Sequence, residues 1–272
     1  VTTTPFQQPP QPYMIYKLRF FASGEPGSAN GGWTTTARWV RSDQWNHIAM
    51  SYSGNAFGIN SPIFYVNGVS VASIETDNPS GTMKDDNLAG MDLTIGNPSF
   101  TTSTATKPTG YYDEFSVWRS IQSAGTISTI AGSSPANYQT TVSGFSPDLY
   151  WKLDDTGNTI ADSSGNAVDG EVDGPDSPVT DVAVQQSGYA NQSIEIHGDD
   201  KLNFGNNGNG INTGTANIWN LGATFMGWYR PAQTGPTLPT APCIFSKFDN
   251  NVGVGLSLGW LLFCTDGQLI TP

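Results

Sequence analysis

Charge is scarce in this chain. Asp, Glu, Lys and Arg together make up 12% of 272 residues, about half the usual share for a soluble protein. What charge there is leans acidic, with 11 Lys and Arg against 23 Asp and Glu, a net charge of −12 and a pI near 4.3. So few cations exclude recognition of a nucleic-acid backbone by a basic face, and they exclude membrane attachment through basic residues. Long apolar runs are missing as well. The longest, Val252–Cys264, is 13 residues and is broken by glycines, short of the roughly 18 needed for membrane insertion. Histidine and cysteine number two each, and no HExxH, CxxC, GxGxxG or P-loop spacing occurs. Neither His47 nor His197 has a Ser-x-Gly elbow or a cysteine beside it, so a hydrolase triad finds no support. The opening Val-Thr-Thr-Thr-Pro-Phe has no initiator Met, basic stretch or apolar stretch. The expectation is that a signal peptide has been removed or that numbering starts inside a longer chain. The Thr/Ser/Asn/Gly-rich composition fits an extracellular, cell-surface or virion setting.

Turn formers and aromatics are abundant, with 31 Gly, 18 Pro, 8 Trp, 10 Tyr and 13 Phe. That supplies a sizeable core and favours strands over helices. Strands are expected at Tyr13–Phe21, Trp45–Tyr52, Ile63–Val66, Val69–Ile74, Leu93–Ile95 and Tyr111–Trp118. A second set is expected at Leu149–Leu153, Ser193–His197, Ala223–Tyr229, Cys243–Phe248 and Leu256–Cys264. Asn67-Gly68 between two β-rich runs is a strong hairpin signal, because a type I′ turn needs positive φ at both central residues. Gln122–Ala131 is the one short helix expected, and residues 132–147 read as a linker. The expected fold is all-β, an antiparallel sandwich.

Trp45-Asn46-His47-Ile48-Ala49, and Tyr150–Asp155 with Asp162-Ser163-Ser164-Gly165-Asn166, carry a resemblance to the laminin G-like family and, more broadly, to the concanavalin A-like jelly rolls. Trp45-Asn46-His47-Ile48-Ala49, Phe64–Val69, Leu93–Gly96 and Gly110–Phe115 are similar to that family's later motifs. Tyr150–Asp155, Asp162–Asn166, Asp169-Gly170, Ser193–Ile196, Phe225–Trp228 and Ile244–Lys247 are similar to its earlier ones. The order is therefore permuted. Residues 1–131 hold second-half strands behind a Pro-rich arm, 1–12, and residues 148–272 hold first-half strands. Half a sandwich leaves unpaired edges and an apolar face in water. Completion of each half by a neighbouring copy, or a continuous array, is accordingly expected ahead of a closed monomer. A contact of that kind is head-to-tail and builds an open filament.

The resemblance implies a jelly roll of antiparallel sheets that is non-catalytic here, since the acid triplet of related glycosidases is missing. Glu195 is followed by Ile196, His197, Gly198, Asp199 and Asp200, which does not give the E-x-D spacing, and Asp85-Asp86, Asp154-Asp155 and Asp199-Asp200 lie beside turns. The resemblance also implies a structural Ca²⁺ held by Asp162, a carbonyl near Asn166, and Asp113. The competing reading of Asp162–Asn166 is an Asx turn that needs no metal. Laminin G-like modules bind glycans through loop aromatics, for which Trp33, Trp39, Trp219 and Tyr189 are candidates against a packing role. Trp45, Trp118, Trp151 and Trp228 sit in strand motifs and read as core. Asn191-Gln192-Ser193 is a glycosylation sequon at Asn191, and Thr101–Thr109 is a second candidate glycan-bearing segment. Cys243 and Cys264 flank a hairpin midpoint and would sit nearly opposite. They form either a disulfide contributing about 3 kcal/mol or two buried free thiols. The functional expectation is a structural or adhesive module built of copies of itself, in an extracellular filament or virion fibre. The alternative is a glycan-binding module of a secreted adhesin or carbohydrate-active enzyme.

Overall fold

The computed structural model describes residues 12–24, 28–53, 56–57, 60–82, 93–96, 110–173, 182–196, 201–204, 222–232, 243–249 and 258–271. In chain order the strands are β1 (Tyr13–Ala22), β2 (Gly31–Thr35), β3 (Val40–Arg41), β4 (Asn46–Tyr52), β5 (Ala56–Phe57), β6 (Ile63–Val66) and β7 (Val69–Val71). Then come β8 (Ser73–Asp77), β9 (Gly81–Thr82), β10 (Leu93–Gly96) and β11 (Gly110–Trp118). Helices α1 (Ala124–Ala131) and α2 (Pro135–Gly144) follow. The rest are β12 (Leu149–Trp151), β13 (Thr159–Ile160), β14 (Gly170–Asp173), β15 (Val182–Ser187), β16 (Gln192–Ile196), β17 (Lys201–Asn203), β18 (Ala223–Pro231), β19 (Cys243–Asp249) and β20 (Leu258–Ile270).

Two antiparallel sheets face one another. The larger runs β13-β14-β17-β10-β19-β20-β1-β2-β8, with β3 beside β1. The smaller runs β15-β16-β11-β18-β4-β6-β7, with β12 beside β11. The alternation in β1 shows why. Met14, Tyr16, Leu18, Phe20 and Ala22 are buried in the space between sheets, and the residues between them are half-exposed, which is the period of two a strand imposes. Phe115, Val117, Ile194, Phe225 and Tyr229 meet them from the other sheet. The Asn67-Gly68 hairpin forms as expected, with φ of 50° and 78° joining β6 to β7.

The two halves complete each other inside one chain. β20 pairs with β1 from Tyr13↔Ile270 to Ala22↔Trp260. β18 lies between β11 and β4, and β10 lies between β17 and β19. Completion by a neighbouring copy or a continuous array, expected ahead of a closed monomer, is not required for these pairings. The edges that would have needed a partner are filled by strands of the opposite half. Of the Pro-rich arm, all but Pro12 lies outside the described residues.

Residues 132–147 are not a plain linker, since α2 occupies most of them. Ser134 is its N-cap residue and Pro135 opens its first turn, where the fixed φ of proline suits a helix start. Tyr138 and Val142, four residues apart, bury one side of it. With Ile127 and Ile130 of α1 they pack on the outer face of the smaller sheet against Ala49, Tyr65, Trp118, Met226 and Trp228. The molecule thus has a second apolar core.

The cysteines also depart from the bridged arrangement. Cys243 and Cys264 are buried free thiols. A bulge between Cys243 and Phe245 shifts the register, so Cys243 faces Phe263 while Cys264 faces Leu18. Burial pushes the Cys243 thiol up to about 12 and the Cys264 thiol up as well.

Candidate functional site

Strand alternation assigns side chains to the outer face of the smaller sheet. Along β11, Tyr112, Phe115 and Val117 point into the core between the sheets, so Tyr111, Asp113 and Ser116 point out. Across the strands these become rows. In the outermost row Glu195 of β16 lies opposite Tyr111, and Tyr111 lies opposite Arg230 of β18. Trp45 precedes β4 directly, beside Asn46, which faces Tyr229. All four side chains are half-buried and reach solvent.

This row is built from mutual contacts. The Arg230 guanidinium lies 4.1 Å from the centre of the Tyr111 ring and 5.2 Å from that of Trp45. The Tyr111 and Trp45 rings meet edge to face at 6.5 Å. Glu195 accepts a hydrogen bond from the Tyr111 hydroxyl, and this bond leads the causes that raise that hydroxyl's pKa. A guanidinium over aromatic faces gains from the ring quadrupole while its N–H edges stay available.

The next row inward is closed. Asp113 lies opposite Trp228, which lies opposite His47. Tyr138 of α2 and Tyr189 cover them, Tyr189 stacking on Trp228 with ring centres 3.5 Å apart. His47 Nε2 and the Tyr138 hydroxyl lie 3.1 Å apart in a hydrogen bond, and complete burial lowers the imidazole pKa to about 3. Asp113 Oδ2 accepts the backbone N–H groups of Tyr189 and Ala190 at 2.7 and 3.0 Å. Among the described residues its Oδ1 is buried without a partner. Burial, then the adjacent Glu114, raise its pKa to about 9.

Glu114 occupies the bulge in β11 with φ of 57°. It accepts from the Tyr150 hydroxyl and from Gln139 Nε2, which also donates to Asp154. Burial raises it to about 7 against the lowering effect of those two donors. The turn that delivers the Tyr189 and Ala190 amides depends on Gly188. A Cβ there would collide with the Gln192 carbonyl oxygen and crowd Asp113 Oδ2. At 1% and 0% exposure, Asp113 and Glu114 clamp a loop and a helix to the sheet and do not face a substrate.

The residues named for calcium are not gathered together. Asp162 spends both oxygens on protein donors: Oδ1 on the Tyr150 and Ser164 amides, and Oδ2 on the Ser164 hydroxyl and the Val168 amide. Asn166 donates to the Asp148 carbonyl. Asp113 is engaged elsewhere, with the 189–190 amides. Among the described residues no group of three or more His, Cys, Asp or Glu is arranged to hold a metal. The Asx-turn reading of Asp162–Asn166 matches these bonds, and the shared ligand set does not fit. Melting temperatures in EDTA and in millimolar CaCl₂ are accordingly expected to coincide. A rise of several degrees with calcium would contradict this.

The aromatic candidates also divide. Trp33 is core, 1% exposed and packed with Phe20 and Tyr52, because its strand turns it between the sheets. Trp39 is 45% exposed, and Trp219 lies outside the described residues, as do His197, Asp85-Asp86, Asp199-Asp200 and Thr101–Thr109. Trp118, Trp151 and Trp228 are buried as read, whereas Trp45 stands in the open row. Asn191 is exposed at a positive-φ turn. The sequence reading missed Arg230 and Tyr111 altogether. The signal was the phase of two doublets, Tyr111-Tyr112 and Tyr229-Arg230, each with one member inside and its neighbour outside.

Residues 13–128, from β1 into α1, match the family model described as the concanavalin A-like lectin/glucanases superfamily. The similarity covers less than half of the chain. Searches of curated proteins and of solved structures return no match. This similarity agrees with the two facing antiparallel sheets and with a carbohydrate-binding or adhesive role at the coarse level. Among the described residues no helix is long and apolar enough to cross a membrane.

Proposed function

We propose that the chain is a non-catalytic, extracellular carbohydrate-binding module whose ligand lies along the Trp45–Arg230–Tyr111–Glu195 row. The observation carrying this reading is the row itself, with two aromatic rings and a cation side by side on an open sheet face of a lectin-like fold. Aromatic rings present flat apolar area to the C–H faces of a pyranose, and neighbouring polar groups fix its orientation.

Binding rather than hydrolysis follows from the acids. Glycoside cleavage needs two carboxylates flanking the scissile bond. Among the described residues Glu195 is the sole carboxylate of this row, and it is engaged with Tyr111, while Asp113 and Glu114 are buried one row below. The filament reading rested on half-sandwiches seeking completion, and the closure of β1 on β20 within one chain removes that support.

The test is a glycan array followed by calorimetry on the best ligand. Trp45→Ala is expected to weaken binding at least about tenfold, or about 1.4 kcal/mol, with the melting temperature held within a few degrees. Binding that survives this change intact, or an array without hits, would overturn the assignment.

A further inference from the structure

The partnering of the cations narrows the ligand further. Among the described residues, Lys17, Arg19, Arg38, Arg41, Arg119 and Lys201 each lie within 4.0 Å of an aspartate oxygen. Lys152 and Arg230 have no such pair, and of these two only Arg230 lies in the aromatic row. Its guanidinium is held by ring faces instead, 4.1 Å from Tyr111 and 5.2 Å from Trp45, and its side chain is half-buried. In a chain of net charge −12, carboxylates are the commonest side-chain partner on offer, yet among the described residues this cation bonds to the Tyr111 hydroxyl and pairs with no carboxylate, which leaves most of its five N–H donors for a ligand.

A guanidinium stacked on a ring has lost freedom and part of its hydration, while its in-plane N–H groups still seek acceptors. A planar carboxylate matches that fork in two parallel bonds. The long-range field sets a limit on the ligand. A dense polyanion would meet the repulsion of the whole acidic surface, whereas an isolated carboxylate beside apolar ring faces would not. Glu195, one strand beyond Tyr111, is engaged with that hydroxyl and disfavours a second anion on its side.

We propose that this row recognises a uronate-bearing oligosaccharide, its carboxylate paired with Arg230 and its sugar rings laid on Trp45 and Tyr111. The proposal rests on the glycan-binding reading above and specifies its ligand class.

The probes are oligosaccharides carrying a single galacturonate, glucuronate or mannuronate residue, each also as its methyl ester, which keeps the ring and removes the charge, and a panel of neutral oligosaccharides. Binding to the whole chain is measured by calorimetry at low and high salt. At least one acid form is expected to bind about tenfold or more tighter than its ester. Arg230→Gln should erase that difference, and Arg230→Lys should restore only part of it, because an ammonium ion lacks the fork. Near-ultraviolet circular dichroism of each variant establishes that the fold is retained. Equal binding of acid and ester, or an acid preference that persists in Arg230→Gln, would overturn the uronate assignment. Binding confined to neutral sugars and sensitive to Trp45→Ala would also overturn it, leaving the glycan-binding reading standing. Binding to none of the probes would overturn both.

Discussion

Trp151→Ala is expected to lower the stability of the fold by about 3–5 kcal/mol. The indole is fully buried and stacks on Phe204 with ring centres 3.8 Å apart and on Phe115 at 5.9 Å. Its Nε1 donates to the Val168 carbonyl at 2.8 Å, and its backbone pairs with Phe115 of β11. One side chain thus ties the segment after α2 to the strand before α1, across the boundary between the permuted halves. Alanine would leave a void with aromatic walls that the surrounding β-strands cannot collapse to fill. Trp151→Phe keeps most of the area but orphans the Val168 carbonyl, and should cost about 1–3 kcal/mol. Trp39→Ala, on the surface at 45% exposure, should stay within about 0.5 kcal/mol. Urea unfolding followed by far-ultraviolet circular dichroism separates the three. A Trp151→Ala variant within about 1 kcal/mol of the parent would show that the halves are not joined through this cluster.

Elements whose apolar pattern has a period of two were legible in the sequence. β1, β4, β11 and β18 fall within a few residues of where Tyr13–Phe21, Trp45–Tyr52, Tyr111–Trp118 and Ala223–Tyr229 placed them. Helix α2 was not, because PANYQTTVSG has only Tyr138 and Val142 as large apolar residues, and its burial comes from a sheet face that sequence spacing does not reveal. Closure of the permuted halves was illegible for a related reason. Motif order tells which strands exist, whereas pairing across more than 200 residues, such as Met14 with Leu269, is decided by the assembled core. The site divides in the same way. Trp45 was visible as a residue, but its exposure depends on lying one position before β4, at the end of the sheet. Arg230 carries no motif, and only the cross-strand register sets it beside Tyr111. The calcium ligands and a plain turn could not be told apart in the sequence, because an aspartate that organises a turn and one that binds a metal share the same Gly/Asn-rich surroundings.

Stability is expected to be greatest in mildly acid solution and to fall as the pH rises from about 5 to 9. Asp113 and Glu114 have folded pKa values raised to about 9 and about 7, chiefly by burial. Their unfolded values lie near 4. Over the intervals between, the folded state holds protons that the unfolded chain has released. The stability these groups allow is therefore complete below pH 4 and is lost through pH 7 for Glu114 and pH 9 for Asp113. His47 acts in the opposite sense. Its folded pKa, lowered to about 3 by burial, makes stability fall as the pH drops from about 6.5 toward 3. Between pH 5 and 6.5 two groups oppose one, from about 6.5 to 8 the carboxylates act alone, and above that the buried Cys243 and Cys264 thiols, whose pKa values burial raises, add to the decline. Each excess proton is worth about 1.4 kcal/mol per pH unit, so the decline across neutral pH should be plain in thermal melts at fixed ionic strength. Surface self-repulsion of the acidic chain runs in the same direction but is screened by salt, and the buried contribution should persist in 0.5 M NaCl. Asp113→Asn retains an oxygen for the Tyr189 and Ala190 amides and cannot ionise. In that variant the slope between pH 7 and 8, below the onset of thiol ionisation in the unfolded chain, should largely vanish, whatever the variant's absolute stability. A melting temperature that holds steady or climbs over this range in the parent chain would show that Asp113 is ionised within the fold.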